Sequence, residues 1–447
     1  MSVFSRKTFD AASYAASRPS YPPQLFRHVL SYLAQHPIPP SPHPRTLLDL
    51  GCGPGLSTFD LAAYASAAPQ QPFERVVGVD PSQNMVDAAR RILDEKRAKG
   101  EPGTQGEWVF EVGKSDALPA VVEDESVDLA IAGQAAHWFD AARTYTELAR
   151  KLKPGGAFAF WGYGEFFFPD RRELSALIPP YSAGTLGPFW EQPGRSIVEA
   201  LLTPFSFPSP APDASALTYT PPAASHPHPR QTNGYLSAAA HPVAAGAAKE
   251  PTPSAFTALA GAGSAYDPAS FQRDFFLRPG GRPPSLIPAP PPSPPSPPSP
   301  PAEGESLIQT QYATPHCLVG VAPTLLLTRE WTLSDLRGYL RTWSAAHAFN
   351  EAHSPPSPSS SPSSPSSASA QPASSTPSTD GTTAPAGSSP ALQPFSSTSS
   401  RGQEPEGQGR DVVEVFLDRL RAAGLGEEER VTVAWEVGVM MGRKRAA

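Results

Sequence analysis

The sequence is poor in cysteine and contains no long apolar run. Its 447 residues include two cysteines, Cys52 and Cys317, which lie far apart in the chain. This spacing excludes a disulfide framework and indicates a reducing compartment. No run of about 18 apolar residues occurs, so we expect no membrane-spanning helix and no membrane partner. The first residues lack the apolar core of a signal peptide, and we therefore predict a cytoplasmic protein.

Basic residues are also scarce. Lys and Arg number 35 against 42 Asp and Glu, which gives a formal net charge of −7. Such a chain is not attracted as a whole to nucleic acid, so we expect no nucleic-acid partner. We also predict no metal centre.

Proline, by contrast, is abundant, with 58 residues in the chain where average usage is about 5%. Low-complexity sequence rich in Pro, Ala and Ser fills residues 205–305, and Ser, Pro and Thr fill residues 354–408. Such sequence buries too little apolar surface to fold, so we predict two disordered insertions, with a structured island at 267–276. The remainder is one domain: a core with an N-terminal lid segment at 1–204, its continuation with a lid helix at 306–353, and a closing helix and strand at 409–447.

Residues Leu47–Asp80 follow the plan of a nucleotide-binding unit. An apolar run, Leu47–Leu50, ends in the glycine turn Gly51-Cys52-Gly53-Pro54-Gly55. A helix-compatible run follows, and then a second apolar run, Val76–Val79, which Asp80 closes. Strand, glycine turn, helix, strand and acid are typical of a βαβ unit. The glycines allow the backbone close to a ligand, and the acid can hold a ribose diol.

The glycine turn is GxGxG, which differs from the GxGxxG of dinucleotide-binding proteins. It resembles motif I of the class I S-adenosyl-L-methionine (AdoMet) methyltransferases, which implies AdoMet as the cofactor. A glycine turn that only packs helix on sheet is the alternative. In the resembling family an acid after the third strand binds the adenine amino group, which implies this role for Asp116, with a solvated loop acid as the alternative.

Apolar runs and helical segments alternate beyond this unit. Strands are predicted at Trp108–Val112, Ser126–Ala132 and Ala157–Trp161, an amphipathic helix at Thr332–Phe349, and a closing strand at Arg430–Met440. Continuous apolar strands that alternate with helices favour a parallel sheet covered on both faces. We predict an α/β fold with disordered Pro/Ser-rich insertions. The resemblance to known methyltransferases implies that it is of the class I methyltransferase (Rossmann-like) type, with a seven-stranded sheet and an added substrate lid.

Two later segments carry candidate chemistry. His137 and Trp138 follow the fourth strand, where ligands lie in open α/β sheets, so we expect them at the junction of cofactor and substrate. His137 could be a base, a hydrogen-bond donor or a structural histidine. Arg195 lies in a loop dense in aromatic residues, and its planar fork suits a carboxylate. A surface cation, or a partner for a nearby acid, is the alternative for Arg195.

Longer strings resemble the trans-aconitate methyltransferase family, whose members esterify a carboxylate of trans-aconitate with AdoMet. The matching strings are FDAASYAASRPSYP (9–22), DLGCGPG (49–55), AHWFD (136–140), WGYG (161–164), GPFWEQPGRS (187–196), LRGYLRTWSAAHAF (336–349) and VTVAWEVGVMMGRKR (431–445). The resemblance implies that Tyr14 and Arg18 lie near the cofactor, and Arg195 and the 341–344 string near the substrate. One pair of residues departs from the family: Gly164-Glu165 follows Tyr163 where a small residue and Asp are usual.

These arguments together predict three sets of site residues. The predicted catalytic residues are His137, Trp138 and Arg195. The predicted cofactor-binding residues are Tyr14, Arg18, Asp49, Gly51, Gly53, Gly55, Asp80, Ser115, Asp116 and Gln134. The predicted substrate-binding residues are Tyr163, Tyr181, Trp190, Gln192, Arg195 and Trp343.

Three functions are compatible with the sequence. The first is methyl transfer to a carboxylate of a small polycarboxylic acid, which is ionised at pH 7 and needs no base. The second is methylation of another small metabolite, such as a lipid-like or quinone acceptor. The third is a scaffold whose Pro-rich insertion docks SH3 or WW domains. The intact glycine turn, Asp80 and Asp116 argue against the third.

Overall fold

The computed structural model describes residues 10–67, 72–208, 265–281, 283–284, 310–313, 317–354 and 410–446. Within these residues, one mixed sheet has the strand order β3-β2-β1-β4-β5-β10-β6-β8-β7, and β9 pairs with β10. The strands are β1 (Thr46–Leu50), β2 (Arg75–Asp80), β3 (Glu107–Val112), β4 (Val127–Gly133), β5 (Leu152–Phe167), β6 (Tyr266–Phe276), β7 (Thr310–Ala313), β8 (Leu318–Ala322), β9 (Leu327–Trp331) and β10 (Val431–Lys444). The helices are α1 (Ala11–Ser17), α2 (Pro23–Ala34), α3 (Leu56–Ala67), α4 (Gln83–Ala98), α5 (Ala141–Lys151), α6 (Arg172–Ser175), α7 (Gly194–Glu199), α8 (Leu333–Arg341), α9 (Ser344–His353) and α10 (Val412–Ala422).

The first five strands are parallel and form one side of the sheet, with β3 at its edge. Leu48 of β1 pairs with Val77 of β2 on one side and with Ala130 of β4 on the other. Every residue of β1 and β2 is buried, which explains their almost unbroken apolar sequence. The chain reverses its winding direction between β1 and β4, and in open α/β sheets ligands bind at such a switch point.

Strand β10 runs antiparallel between β5 and β6. The predicted class I fold is confirmed, but the sheet has ten strands within the described residues, where the sequence predicts seven. Within the described residues β7, β8 and β9 enlarge this sheet. Strand β6 covers the segment that the sequence marks as a structured island. Strand β5 is longer than the predicted Ala157–Trp161, because its second half also pairs with β10 up to Phe167.

The sequence predicts one helix over Thr332–Phe349, but the structure has two, α8 and α9. A capping box formed by Thr332 and Asp335 begins α8, as expected. The break falls at Thr342 and Trp343, where the Thr342 hydroxyl donates to the carbonyl of Tyr339 and the backbone of Trp343 is extended. The break lets Trp343 turn its ring into the core.

Most residues of the two predicted insertions lie outside the described residues. The same is true of the Pro-rich stretch predicted to dock SH3 or WW domains. Among the helices that the structure describes, none combines the length and apolar character required to cross a membrane.

Candidate active site

A cavity of about 520 Å³ lies at the carboxyl ends of the central strands. One end of it, which we call the glycine end, is formed by residues 51–53, Asp80 and residues 113–116. The other, which we call the lid end, is formed by Tyr163, Glu165, Trp190, Glu191, Arg195, Tyr339 and Trp343. Arg18, Gln134, His137 and Trp138 also line the cavity.

The glycine turn has the conformation that its composition requires. Gly51, Gly53 and Gly55 have φ angles of +67°, +54° and +88°, in the left-handed region that favours glycine. A Cβ on Gly51 would lie 2.7 Å from the Cβ of Ala135. Gly51 and Gly53 line the cavity, whereas Gly55 does not; a Cβ there would collide with the ring of Phe59. Gly55 therefore serves packing, which corrects its predicted contact with the cofactor.

Asp80 ends β2 and organises the glycine end. Its Oδ2 accepts a hydrogen bond from the Gly53 amide at 2.9 Å, and its Oδ1 accepts one from the Ser82 amide at 2.8 Å. Burial raises the pKa of Asp80, and the two amide hydrogen bonds oppose that rise. Each carboxylate oxygen can accept a further bond, so the residue can still hold a ribose diol from the cavity side.

Asp49, which the sequence assigns to the cofactor, does not line the cavity. Its carboxylate is buried beneath α3, where Oδ2 accepts a hydrogen bond from the Thr58 hydroxyl at 2.6 Å. Burial raises the pKa of Asp49 to about 7. The side chain therefore belongs to the packing between β1 and α3, because its carboxylate is bound to Thr58 of α3.

Ser115 and Asp116 reach the cavity after β3, as predicted. The Ser115 hydroxyl lies 2.9 Å from that of Thr144. Arg143 approaches Asp116, with 3.5 Å between its Nη1 and the Asp116 Oδ2. The Asp116 carboxylate remains within reach of a ligand amino group in the cavity.

Gln134 closes the junction between β4 and β5. Its Oε1 accepts from the Tyr163 amide at 2.9 Å, and its Nε2 donates to the Tyr163 carbonyl at 3.1 Å. Its φ of +54° is rare for a residue with a side chain, and this pair of bonds holds it there. The side chain of Gln134 thus positions the cavity wall.

His137 and Trp138 form a short 3₁₀ turn, Ala136–Trp138, between β4 and α5. The Nδ1 of His137 is buried and has no hydrogen-bond partner among the described residues. Burial, with a smaller contribution from the Arg18 charge, lowers the pKa of His137 to about 3. The imidazole is therefore neutral near pH 7 and is a weak base. Trp138 is partly exposed at the cavity mouth and packs against the His137 ring.

Arg18 lies between the two ends of the cavity. Its Nη1 donates to the Tyr163 hydroxyl at 2.9 Å, and its Nη2 donates to the Thr342 carbonyl at 3.3 Å. The rings of Tyr14 and Tyr339 flank the guanidinium at 4.9 Å and 5.5 Å. Its Nε is buried without a partner, and no carboxylate of the described residues pairs with it. A half-buried guanidinium without a counter-ion is costly, so the site is suited to a ligand carboxylate.

Arg195 has its charge satisfied within the protein. Its Nη2 donates to the Glu165 Oε1 at 2.9 Å, and its Nε donates to the Glu199 Oε1 at 2.7 Å. Its guanidinium lies 4.3 Å from the centre of a Trp190 ring. Arg195 does line the cavity, but its Nη2 and its Nε already donate to these two carboxylates. Sequence reasoning did not select Glu165, although its departure from the family pattern was a signal.

The other predicted substrate residues divide into two groups. Tyr163, Trp190 and Trp343 line the lid end; the Trp190 Nε1 donates to the Ser182 carbonyl at 2.9 Å, and its ring lies 5.3 Å from that of Trp343. Tyr181 is instead buried in the core, stacked on Phe416 at 4.2 Å.

Gln192 and Arg341 also lie off the cavity. The Gln192 Oε1 accepts from the Ser196 hydroxyl at 2.8 Å and from the Ser196 amide at 3.4 Å, so this side chain is bound to the first turn of α7. Arg341 pairs with Asp411 and Glu414. Tyr339, which the sequence analysis did not select, lines the lid end. Its position four residues before Trp343 on a helical face could have indicated it.

Comparison with known proteins bears on this site. A family described as methyltransferase domain matches residues 48–160. A Saccharomyces cerevisiae protein named as a probable S-adenosylmethionine-dependent methyltransferase is 29% identical over 178 residues, which cover 39% of this chain and 53% of the yeast protein. The trans-aconitate 2-methyltransferase of an Azoarcus species is 34% identical over 143 residues, which cover 32% of this chain and 48% of that enzyme.

The chain thus spans about half the length of these two curated relatives. Among solved structures, a candidate type II methyltransferase from Anaeromyxobacter dehalogenans is 18% identical, with a TM-score of 0.45, and covers 96% of this chain and 99% of that one. The domain match includes the glycine turn, Asp80, Asp116 and His137. Residues 48–160 therefore match a methyltransferase domain, and S-adenosylmethionine is its cofactor.

Proposed function

We propose that the chain is an AdoMet-dependent methyltransferase that esterifies a carboxylate of a small acid. The observation that carries this proposal lies at the junction of the two ends of the cavity, where a positively charged side chain stands beside a histidine that is a poor base. Arg18 is half-buried there without a carboxylate partner among the described residues, and the adjacent His137 is neutral and weakly basic. A carboxylate acceptor suits such a junction, because it is anionic and needs no deprotonation.

The cavity residues supply binding, orientation and exclusion of water. AdoMet, when bound, supplies a methyl group on a sulfonium. Asp80 and Asp116 would hold its ribose and adenine at the glycine end. Arg18 would bind a carboxylate, either that of the methionyl tail or that of the acceptor. Trp190 and Trp343 would keep water from the acceptor. Holding the two reactants in the correct orientation contributes about 7–11 kcal/mol to catalysis.

A narrower form of the proposal names a polycarboxylic acid such as trans-aconitate. Its support is the similarity to the Azoarcus trans-aconitate 2-methyltransferase and the strings quoted above. A second candidate, another metabolite with an apolar body, is favoured by the aromatic walls of the lid end.

The test is AdoMet turnover against a panel of mono-, di- and tricarboxylic acids and matched neutral alcohols and phenols. The product is identified by mass and by release of methanol on mild alkaline hydrolysis. We expect a methyl ester from at least one acid. Transfer only to hydroxyl, nitrogen or carbon of the other compounds would contradict a carboxylate acceptor and favour the second candidate.

A further inference from the structure

The lid end contains a charge arrangement that bears on the choice of acid. Glu165 lies on β5 and lines the cavity, and Arg195 of α7 faces it across an ion pair of 2.9 Å. Glu199, on the same helix as Arg195, pairs with the other side of the guanidinium at 2.7 Å. Arg195 is therefore shared by two carboxylates, and this group as a whole carries a charge of −1.

Among the described residues, the other side chains of the lid end add no positive charge. Glu191 also lines the lid end, and Trp190 covers the Arg195 guanidinium. The remaining walls are the aromatic rings of Tyr339 and Trp343. A ligand that enters the lid end thus meets apolar surface and carboxylates. Arg18, at the junction of the two ends, pairs with no carboxylate of the described residues, and the other lining cation without such a pair, Lys114, belongs to the glycine end.

From this arrangement, and on the basis of the proposed function, we infer that Glu165 is a specificity-determining residue. It cancels the charge of Arg195 in the lid end, so that the enzyme favours acids with one carboxylate and an apolar body over di- and tricarboxylates. This inference keeps the carboxylate acceptor of the proposed function and opposes its narrower form, in which the acceptor is a polycarboxylic acid. One carboxylate can meet Arg18, and the apolar body can pack on the aromatic walls. Each additional carboxylate would lose water beside Glu165 without gaining a cation, which is unfavourable.

The chain offers a matched control for this inference. Glu199 pairs with the same guanidinium as Glu165, but its side chain is 46% exposed and does not line the cavity. Glu199→Gln therefore removes one ion pair of Arg195 without changing the lid end. Glu165→Gln removes one ion pair and also one negative charge from the cavity. Glu165→Asp keeps that charge.

The experiment uses cyclohexane rings that carry one, two or three carboxylates, so that size is nearly constant while charge rises. Their affinities for the full chain saturated with S-adenosylhomocysteine are measured by calorimetry. For the wild type we expect affinity to fall as carboxylates are added. Glu165→Gln should tighten the tricarboxylate relative to the monocarboxylate by roughly tenfold, the effect of one charge at a partly hydrated contact. Glu199→Gln and Glu165→Asp should leave the order of affinities as in the wild type.

Several results would overturn the inference. If the wild type binds the tricarboxylate more tightly than the monocarboxylate, the inference is overturned before any variant is measured. An unchanged order in Glu165→Gln, an equal shift in Glu199→Gln, or no binding of any of the three acids would also overturn it. Failure of the proposed function is read separately, as the absence of methyl esters by mass spectrometry when AdoMet replaces S-adenosylhomocysteine.

Discussion

Substitution of Asp49 tests whether this residue packs β1 against α3, as in the structure, or contacts the cofactor, as the glycine motif suggests. The Asp49 carboxylate is buried, one oxygen accepts from Thr58, and the other has no partner among the described residues. Burial raises its pKa to about 7, whereas an Asp in an unfolded chain titrates near 4. Because the folded-state pKa is the higher one, the proton stabilises the fold below about pH 4, and this stabilisation is lost as pH rises through about 7.

Asp49→Asn removes this titration while it keeps nearly the same shape. Linkage with these two pKa values gives the wild type a loss of about 2–3 kcal/mol between about pH 5 and about pH 8 that the variant should lack. The measurement is the free energy of unfolding in urea at both pH values, with the pH dependence compared between the two proteins. The affinity for AdoMet, measured in parallel, should change by less than about threefold, because a group outside the cavity has no contact to lose.

Two results would refute this reasoning. If the wild type and Asp49→Asn lose the same free energy between the two pH values, the carboxylate does not titrate in the fold. If the variant loses AdoMet affinity by tenfold or more, about 1.4 kcal/mol, Asp49 contacts the cofactor as the motif first suggested.

Three further predictions concern the cavity. Asp80→Ala should weaken AdoMet binding by about 1.5–3 kcal/mol in calorimetry, the range of a hydrogen bond to a charged group, with Asp80→Asn less affected; unchanged affinity in Asp80→Ala would remove the residue from the cofactor site. Arg18→Gln should raise either the Kd of AdoMet or the KM of the acid by roughly tenfold or more, according to which carboxylate it binds, whereas no change in either would contradict its role. His137→Asn should remain active, and wild-type kcat/KM should show no ionisation of this residue between about pH 5.5 and about pH 8.5, because its lowered pKa of about 3 keeps it neutral there. An inactive variant, together with a wild-type inflection near pH 6.5, would instead identify His137 as a base.

The sequence alone determined the glycine end. The strand, glycine turn, helix and acid of Leu47–Asp80 are close in the chain, and their geometry follows from local conformation. Left-handed φ angles at Gly51 and Gly53, and an acid at the end of β2, need no distant partner to be predicted. The parallel α/β sheet followed from the alternation of apolar runs and helices, and its class I type from the resemblance of the glycine turn to motif I.

The tertiary structure decided the lid end, because the partners of its charged side chains lie far away in sequence. Arg195 was predicted as a carboxylate receptor from its fork and neighbours, but Glu165 is 30 positions away and meets it only in the fold. Arg18 is separated from the Thr342 carbonyl by 324 positions. A motif specifies which side chains are present, whereas the fold determines which partner each one reaches. Arg195 is therefore neutralised and Arg18 is left for a ligand.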